Sequence, residues 1–338
     1  MIEIDGSHGE GGGQILRTSL ALSAVLGEPV KISKIRPGRP NPGLAPQHVT
    51  SIEAVEELCN AEIVGVFPGS TELTFKPGQL TGGDYEFDVG TAGSISLIIQ
   101  SCLIPAAISK ARVTLSVKGG TDVKWSPPID YMRLVHLPLL SRFGAHSYME
   151  LTSRGFYPEG GGEVSVELDP AGKLSAVDLS ARGRDEGIDG IAFSQNLPDH
   201  VVSRMKHASL KKFIGQKDVR IESDLRNGIS TGAGIVLAAR YENTVLGATA
   251  LGARGVRAET LGEECAGDLL ETVRSMATVD EHMTDQILPY MALATGSSTV
   301  LAEELTGHAE TNIWVIEQFI GKRFEISKRE DLVQITTI

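Results

Sequence analysis

Cysteine is scarce in this chain. Cys59, Cys102 and Cys265 are the only three, an odd count without metal-ligand spacing, which argues against a disulfide framework or a zinc site. Long apolar runs are also missing. The longest, Ile95 to Ile108, is interrupted by Gln100 and Pro105 and falls short of the roughly 20 residues that cross a bilayer, so it reads as a buried helix. The opening Met1-Ile2-Glu3-Ile4-Asp5 has neither a basic n-region nor an apolar h-region. The expectation is a cytoplasmic protein with reduced thiols and no membrane partner. Disordered segments are not expected either, since hydrophobic residues make up 41% and charged residues 22%, with no stretch that is both polar and highly charged. A chain of 338 residues exceeds what one core usually serves, so one large domain with a smaller inserted or appended one is expected.

Positive charge is in deficit, and the net value of −12 weighs against a nucleic-acid partner. The distribution softens that objection. From Pro29 to Ile52 there is no Asp or Glu, while Lys31, Lys34, Arg36 and Arg39 are all present. A second basic cluster, Arg204, Lys206, Lys211, Lys212, Lys217 and Arg220, reads either as a solvated face or as an RNA contact.

Glycine supplies the punctuation. Gly82-Gly83, Gly119-Gly120 and Gly160-Gly161-Gly162 stand beside strand-like alternation such as Val113, Leu115 and Val117. Helical patterns run from Ile15 to Leu26, Ser51 to Cys59 and Ser94 to Ile104. A repeated unit of strands and helices is expected, with the echo of Gly9-Glu10-Gly11-Gly12-Gly13 in Pro158-Glu159-Gly160-Gly161-Gly162 as its clearest trace. After Ser180 the text becomes polar and turn-rich, then predicts a helix over Pro198 to Ile214, two strands and a helix over Glu259 to Met276. Residues 183-275 are therefore expected to form a small inserted α/β domain, with 1-182 and 276-338 making up the large one.

Several residues suit phosphate chemistry. Gly11 to Gly13, entering a helix at Gln14, leave backbone N–H groups open at a helix N-terminus, where the dipole favours an anion, although glycine clusters also mark tight turns. Glu10 is placed to hold a divalent metal there. The loop is neither a P-loop nor a dinucleotide fingerprint. Between Pro37 and Pro46 four prolines stiffen a loop in which Arg36 and Arg39, three apart, suit phosphate binding. His308 precedes an apolar segment, and a neutral imidazole is a competent nucleophile toward phosphorus, though a lone histidine is as often structural. Asp280 and Glu281 read as charges at a helix N-terminus; Asp285 lies deeper in the pattern.

Together these pieces resemble one family. Gly9-Glu10-Gly11-Gly12-Gly13-Gln14-Ile15-Leu16-Arg17, Arg36-x-x-Arg39-x-x-Pro42-Gly43-Leu44-x-x-Gln47-His48, Gly119-Gly120-Thr121-Asp122, Arg154-Gly155-Phe156-Tyr157-Pro158-x-Gly160-Gly161-Gly162 and His308-x-x-Thr311-Asn312 are similar to motifs of the RNA 3′-terminal phosphate cyclases. The resemblance runs nearly the whole chain and is weakest across the insert. It implies an α+β fold with a large domain of three repeated helix-plus-four-stranded-sheet units and a smaller α/β insert. The implied reaction uses ATP and a divalent metal, Mg2+ or Mn2+, to convert an RNA 3′-phosphate into a 2′,3′-cyclic phosphate through a histidine-bound AMP and an RNA adenylate.

By the same resemblance, His308 is the nucleophile, Glu10 the metal- and phosphate-associated glutamate, and Arg17, Arg36, Arg39, Gln47 and Gln100 the essential polar residues. Asp285 matches a required aspartate that orients the histidine or a nucleotide group, and Gln286 beside it falls on the nucleotide side. Pro127 matches a proline that packs on adenine; bacterial relatives carry Tyr where His282 stands, and imidazole can still stack. Two rival readings are a non-catalytic cyclase-like factor in ribosome biogenesis and an enzyme that adenylylates polynucleotide 5′-phosphate ends. His308 with Thr311-Asn312, Glu10, Arg17 and Asp285 speaks against the first. The oligomeric state is left open, a homo-oligomer among the options.

Overall fold

The computed structural model describes all 338 residues. Its chain repeats one topology three times. The first copy runs β1 (Ile2–Asp5), α1 (Gly13–Leu26), β2 (Val30–Ser33), α2 (Pro46–Cys59), β3 (Glu62–Val64) and β4 (Leu73–Lys76), in the sheet order β1-β2-β4-β3. β1 and β2 are parallel because a helix carries the chain back between them; the β3–β4 pair is antiparallel. The second copy runs β5 (Gly83–Asp88), α3 (Ile95–Ile108), β6 (Val113–Gly119), then a helix composed of α4 (Ile129–Tyr131), a π-helical stretch (Met132–His136) and α5 (Leu137–Arg142), then β7 (Ser147–Ser153) and β8 (Gly162–Leu168). Its order, β5-β6-β8-β7, is the same.

The third copy opens with β9 (Asp178–Leu179) and is interrupted at once. Residues 185–275 form β10 (Asp185–Gln195), α6 (His200–Lys212), β11 (Val219–Arg226), β12 (Gly232–Tyr241), β13 (Val245–Leu251) and α7 (Ala258–Ser275), a sheet of order β11-β10-β12-β13 with its own core around Phe213, Leu237 and Leu269. The copy then resumes with α8 (Glu281–Gln286), α9 (Leu288–Leu293), β14 (Thr299–Ala302), α10 (Gly307–Ile320), β15 (Phe324–Arg329) and β16 (Leu332–Thr337), in the order β9-β14-β16-β15. A single large core unites the three copies, with α1 packed against α2, α3 and α10. No helix is long and apolar enough to cross a membrane.

Three details differ from the sequence expectation. Helix α2 starts at Pro46, five residues before the expected Ser51, so the end of the proline-rich stretch is the first turn of a helix, where proline at N1 is tolerated. The glycine echo does not mark equivalent positions: Gly9 to Gly13 joins a strand to a helix, whereas Gly160 to Gly162 closes the β7–β8 hairpin. The counterpart of the first loop in the second copy is the segment from Val89 to Ser94, where only Gly90 and Gly93 recur, so the repeat is conserved in path rather than in text. Helix α3 also runs past Pro105 to Ile108, four residues beyond the Ile104 at which it was expected to end. Proline here removes a backbone bond near the helix end, and the burial of Ala106 and Ala107 holds the remaining turn.

The insert is tied down at two places. At its neck, Arg182 donates to the carbonyls of Ala277 (2.5 Å), Val273 (2.7 Å) and Thr272 (2.8 Å), joining the incoming and outgoing strands of chain. Deeper, the fully buried Arg154 donates to Asp122 (3.0 Å), Asp130 (2.5 Å) and, on β11, Asp224 (2.9 Å), with its guanidinium 3.8 Å above the Phe193 ring. Three carboxylates around one cation raise Arg154 far above the normal arginine range, more than offsetting its burial.

Candidate active site

Helix N-termini converge at one place. α1 begins after a loop whose Gly9 (φ +54°) sits so tightly against Thr311 of α10 that no side chain fits. In return, the backbone of Gly307 at the start of α10 lies under Glu10, where an added Cβ would be 2.8 Å from Oε1. Thr306 caps α10 by accepting from Ala309 N–H at 3.1 Å. α2 and α3 bring their first turns to the same region: Gln47 Oε1 accepts from Ser94 N–H at 3.2 Å, at the N-cap of α3. The dipoles of these helices favour negative charge there.

At this meeting point a side-chain relay joins the first and third copies. Gln14 Nε2 donates to Asp285 Oδ2 at 2.5 Å, and Gln14 Oε1 lies 2.7 Å from His308 Nδ1. An amide oxygen can only accept, so Nδ1 carries the proton and Nε2 of the neutral ring keeps its lone pair. That Nε2 stands 3.2 Å from Glu10 Oε2, with both side chains about half exposed. Asp285 is pinned further by Gln286 Nε2 at 2.6 Å, and its backbone carbonyl by Asn312 Nδ2 at 2.8 Å, while Thr18 holds Asn312 at 2.7 Å. Burial pushes the Asp285 carboxyl up to about 6, against the opposing pull of His308, Gln286 and Arg17.

A cleft beside the relay is lined by Arg17, Gln100, Gln286, Pro289 and Tyr290. The Arg17 guanidinium makes no ion pair, and desolvation lowers it to about 10 despite Asp285 nearby, so it remains charged. Gln100 donates weakly to Met132 Sδ at 3.8 Å, leaving a buried Oε1 without a partner. Arg39 reaches toward Gly12, whereas Arg36, in left-handed backbone at φ +51°, uses one nitrogen to hold the Gly43 carbonyl at 2.7 Å. The lysines of the same basic stretch are spent outside: Lys31 pairs with Glu72 at 3.1 Å and Lys34 with Asp5 at 2.7 Å.

Pro127 is held at the start of α3 by Ser96, which donates to its carbonyl at 2.7 Å. His282 stands edge-on to Tyr131, 5.9 Å between ring centres, on the turn that leads to Asp285. Asp280 is the N-cap of α8, accepting from Met283 N–H at 3.0 Å, as its sequence position suggests. In the insert's basic cluster, Arg204 is bonded to Glu259 at 2.7 Å and 2.8 Å, while Lys211 and Lys212 are exposed.

Gln14 had no assigned role in the sequence reading, although it belongs to the opening motif. Its signal was the entry of that motif into a helix, which buries this polar residue facing the third copy. Glu10 is the single carboxylate at Nε2, and no group of three or more His, Cys, Asp or Glu is close enough to cage a metal. One carboxylate with an open side suits a hard cation that arrives with substrate phosphates.

Fold and site define an enzyme of the mixed α/β class, with a histidine–amide–carboxylate relay across two structural repeats. The family profile described as RNA 3'-terminal phosphate cyclase matches residues 8–326. Similar proteins bearing the name "RNA 3'-terminal phosphate cyclase" include one from Nitrosospira multiformis, 44% identical over 99% of this chain and 96% of its own. Another, from Pyrobaculum neutrophilum, is 46% identical over 97% and 95%, and one from Archaeoglobus fulgidus is 45% identical over 97% and 99%. The chain belongs to the RNA 3'-terminal phosphate cyclase family.

Proposed function

We propose that this enzyme uses ATP to convert an RNA 3′-phosphate into a 2′,3′-cyclic phosphate, with His308 carrying AMP between the two substrates. The observation that carries this reading is the relay Asp285–Gln14–His308, which leaves Nε2 as the free lone pair beside Glu10. In the first step Nε2 attacks the α-phosphorus of ATP; a P–N bond forms, the α–β P–O bond breaks and pyrophosphate leaves. The ring then carries positive charge, with its Nδ1–H donated to Gln14 and the Asp285 carboxylate behind the amide. In the second step an oxygen of the RNA 3′-phosphate attacks the same phosphorus, the P–N bond breaks and neutral His308 returns. In the third, the neighbouring 2′-hydroxyl attacks the 3′-phosphorus, loses its proton and expels AMP. Covalent geometry already holds that hydroxyl near the phosphorus, so the role of ATP is to build a leaving group.

Arg17 and Arg39, with Arg36 and Gln47 beside them, neutralise phosphate oxygens, and Gln100 and Gln286 face the nucleotide, which Pro127 and His282 flank. Glu10 would hold Mg2+ or Mn2+, which when bound supplies charge for the phosphate oxygens. The test is incubation with α-labelled ATP and metal. Wild type is expected to form an acid-labile adenylate and His308→Ala none; an unlabelled wild type would reject the histidine route. If label forms but 3′-phosphate RNA is not cyclised, the substrate assignment fails while the covalent step stands.

A further inference from the structure

His48, the third residue of α2, is 7% exposed, and only one of its ring nitrogens is used. Nδ1 accepts from the backbone N–H of Ala45 at 3.0 Å, satisfying one of the orphan donors at the start of the helix. Because Nδ1 accepts, a neutral ring must carry its proton on Nε2. The ring is neutral: burial first, then the charges of Arg36 and Arg17, hold it down at about 3.

Nε2 has no hydrogen-bond partner, yet it is not among the unpaired atoms sealed away from solvent. It lies against the backbone of Gly13, the first residue of α1, where an added Cβ would be 2.5 Å from Nε2 and 3.3 Å from Arg17 Nη1. At Gly12, the N-cap of α1, an added Cβ would be 3.8 Å from Arg39 Nη2. The free N–H of His48 therefore opens onto a helix N-terminus that also has Arg17 and Arg39 close to it, with a glycine whose missing side chain leaves the approach clear. A neutral donor at such a place adds direction without adding to the repulsion among the cations.

We propose that His48 binds a phosphate group of the substrate through its Nε2–H, fixing one phosphate oxygen between the first turn of α1, Arg17 and Arg39. The assignment rests on the cyclase reading only in naming the phosphate; the donors gathered here suit an oxyanion whatever the reaction. Two sources share that chemistry, the 3′-phosphate of RNA and the triphosphate of ATP.

The two ring nitrogens can be replaced separately. Asn at position 48 puts an amide oxygen where Nδ1 stands, keeping the cap of α2 and losing the reach to Gly13. Gln places an amide N–H near Nε2 and gives up the cap. The full-length protein and both variants are titrated with an oligoribonucleotide ending in 3′-phosphate, the same strand ending in 3′-hydroxyl, and ATP, alongside melting curves. His48→Asn is expected to melt with wild type but to lose about 10-fold or more in affinity for the phosphate-bearing ligand that occupies the site. His48→Gln is expected to melt lower by about 1–3 °C and to bind more tightly than His48→Asn. Loss confined to the 3′-phosphate strand assigns the site to RNA, and loss confined to ATP assigns it to the nucleotide. Wild-type affinity of His48→Asn for both, or weaker binding by the Gln variant than by the Asn variant, would overturn the proposal. Neither readout requires adenylylation, so failure of the histidine route would leave this test standing.

Discussion

Nδ1 of His308 lies 2.7 Å from the side-chain oxygen of Gln14, a residue 294 positions away in the chain. The contact settles the tautomer of the histidine, because the amide nitrogen is turned toward the Asp285 carboxylate and only the oxygen is left for the ring. In the proposed mechanism Nε2 is the nitrogen that attacks ATP. A histidine of either tautomer would fill the same space, but only this one leaves Nε2 unprotonated, and at 3.2 Å from Glu10 Oε2 such a lone pair needs a cation between the two atoms.

Replacing Gln14 by Leu would leave Nδ1–H and Asp285 without each other's link while keeping a side chain of similar size. The rate of adenylate formation with labelled ATP is expected to fall by about 10²- to 10³-fold, the loss typical of a single preorganised polar partner. A variant within twofold of wild type would remove Gln14 from the mechanism.

The buried Asp285 predicts a pH-dependent stability. Its folded carboxyl is raised from 3.8 to about 6, so between about pH 4 and pH 6 the unfolded chain gives up a proton that the folded one retains. Stability from this group is thus greatest below about pH 4, is lost as the pH rises through 6, and stays lost above. Asn at this position cannot ionise and still accepts from Gln14. By calorimetry, Asp285→Asn should gain on wild type from pH 4 to pH 7, levelling off at up to about 3 kcal/mol. A difference in Tm independent of pH would contradict the assignment.

Arg154 links the second repeat to the insert through Asp224 of β11, which is partly exposed, while Asp122 and Asp130 of its own repeat are fully buried with it. Arg154→Ala would strand Asp122 and Asp130 without a cation, and about 3–5 kcal/mol is expected to disappear from the urea-unfolding free energy. An unchanged midpoint would mean that the insert docks without this network.

Gly9 occupies a position that tolerates no side chain without strain. Its left-handed backbone and its contact with Thr311 leave no room for a methyl group, so Gly9→Ala is expected to slow adenylylation and to cost about 1–3 kcal/mol. Adding Thr311→Ala should restore part of the loss, because it removes the steric share and leaves the backbone share. No recovery in the double variant would place the whole effect in the backbone.

Much of this molecule was legible in its sequence because it depends on local rules. The helix entered at Gln14, the Asp280 cap and the buried helix after Ser94 follow from periodicity and capping, which act over a turn or two, whereas α2 begins five residues before the Ser51 that periodicity suggests. The order of motifs was enough to suggest the family, since ordered stretches such as Gly9 to Arg17 and His308 to Asn312 survive in text. Tertiary structure alone decided which residues meet. Nothing near position 14 shows that its amide will fall between a carboxylate and an imidazole encoded nearly 300 positions later, and the glycine echo that looked like a repeat joins unrelated turns. Nor could the basic stretch from Lys31 to Arg39 be divided in advance into two lysines paired on the surface and arginines turned to the Gly43 carbonyl and to the start of α1. The physical reason is that local preferences specify elements, while hydrogen-bond partners and charge environments depend on how three copies of one topology pack their helix ends together. That packing is a property of the shared core, to which residues from every part of the large unit contribute.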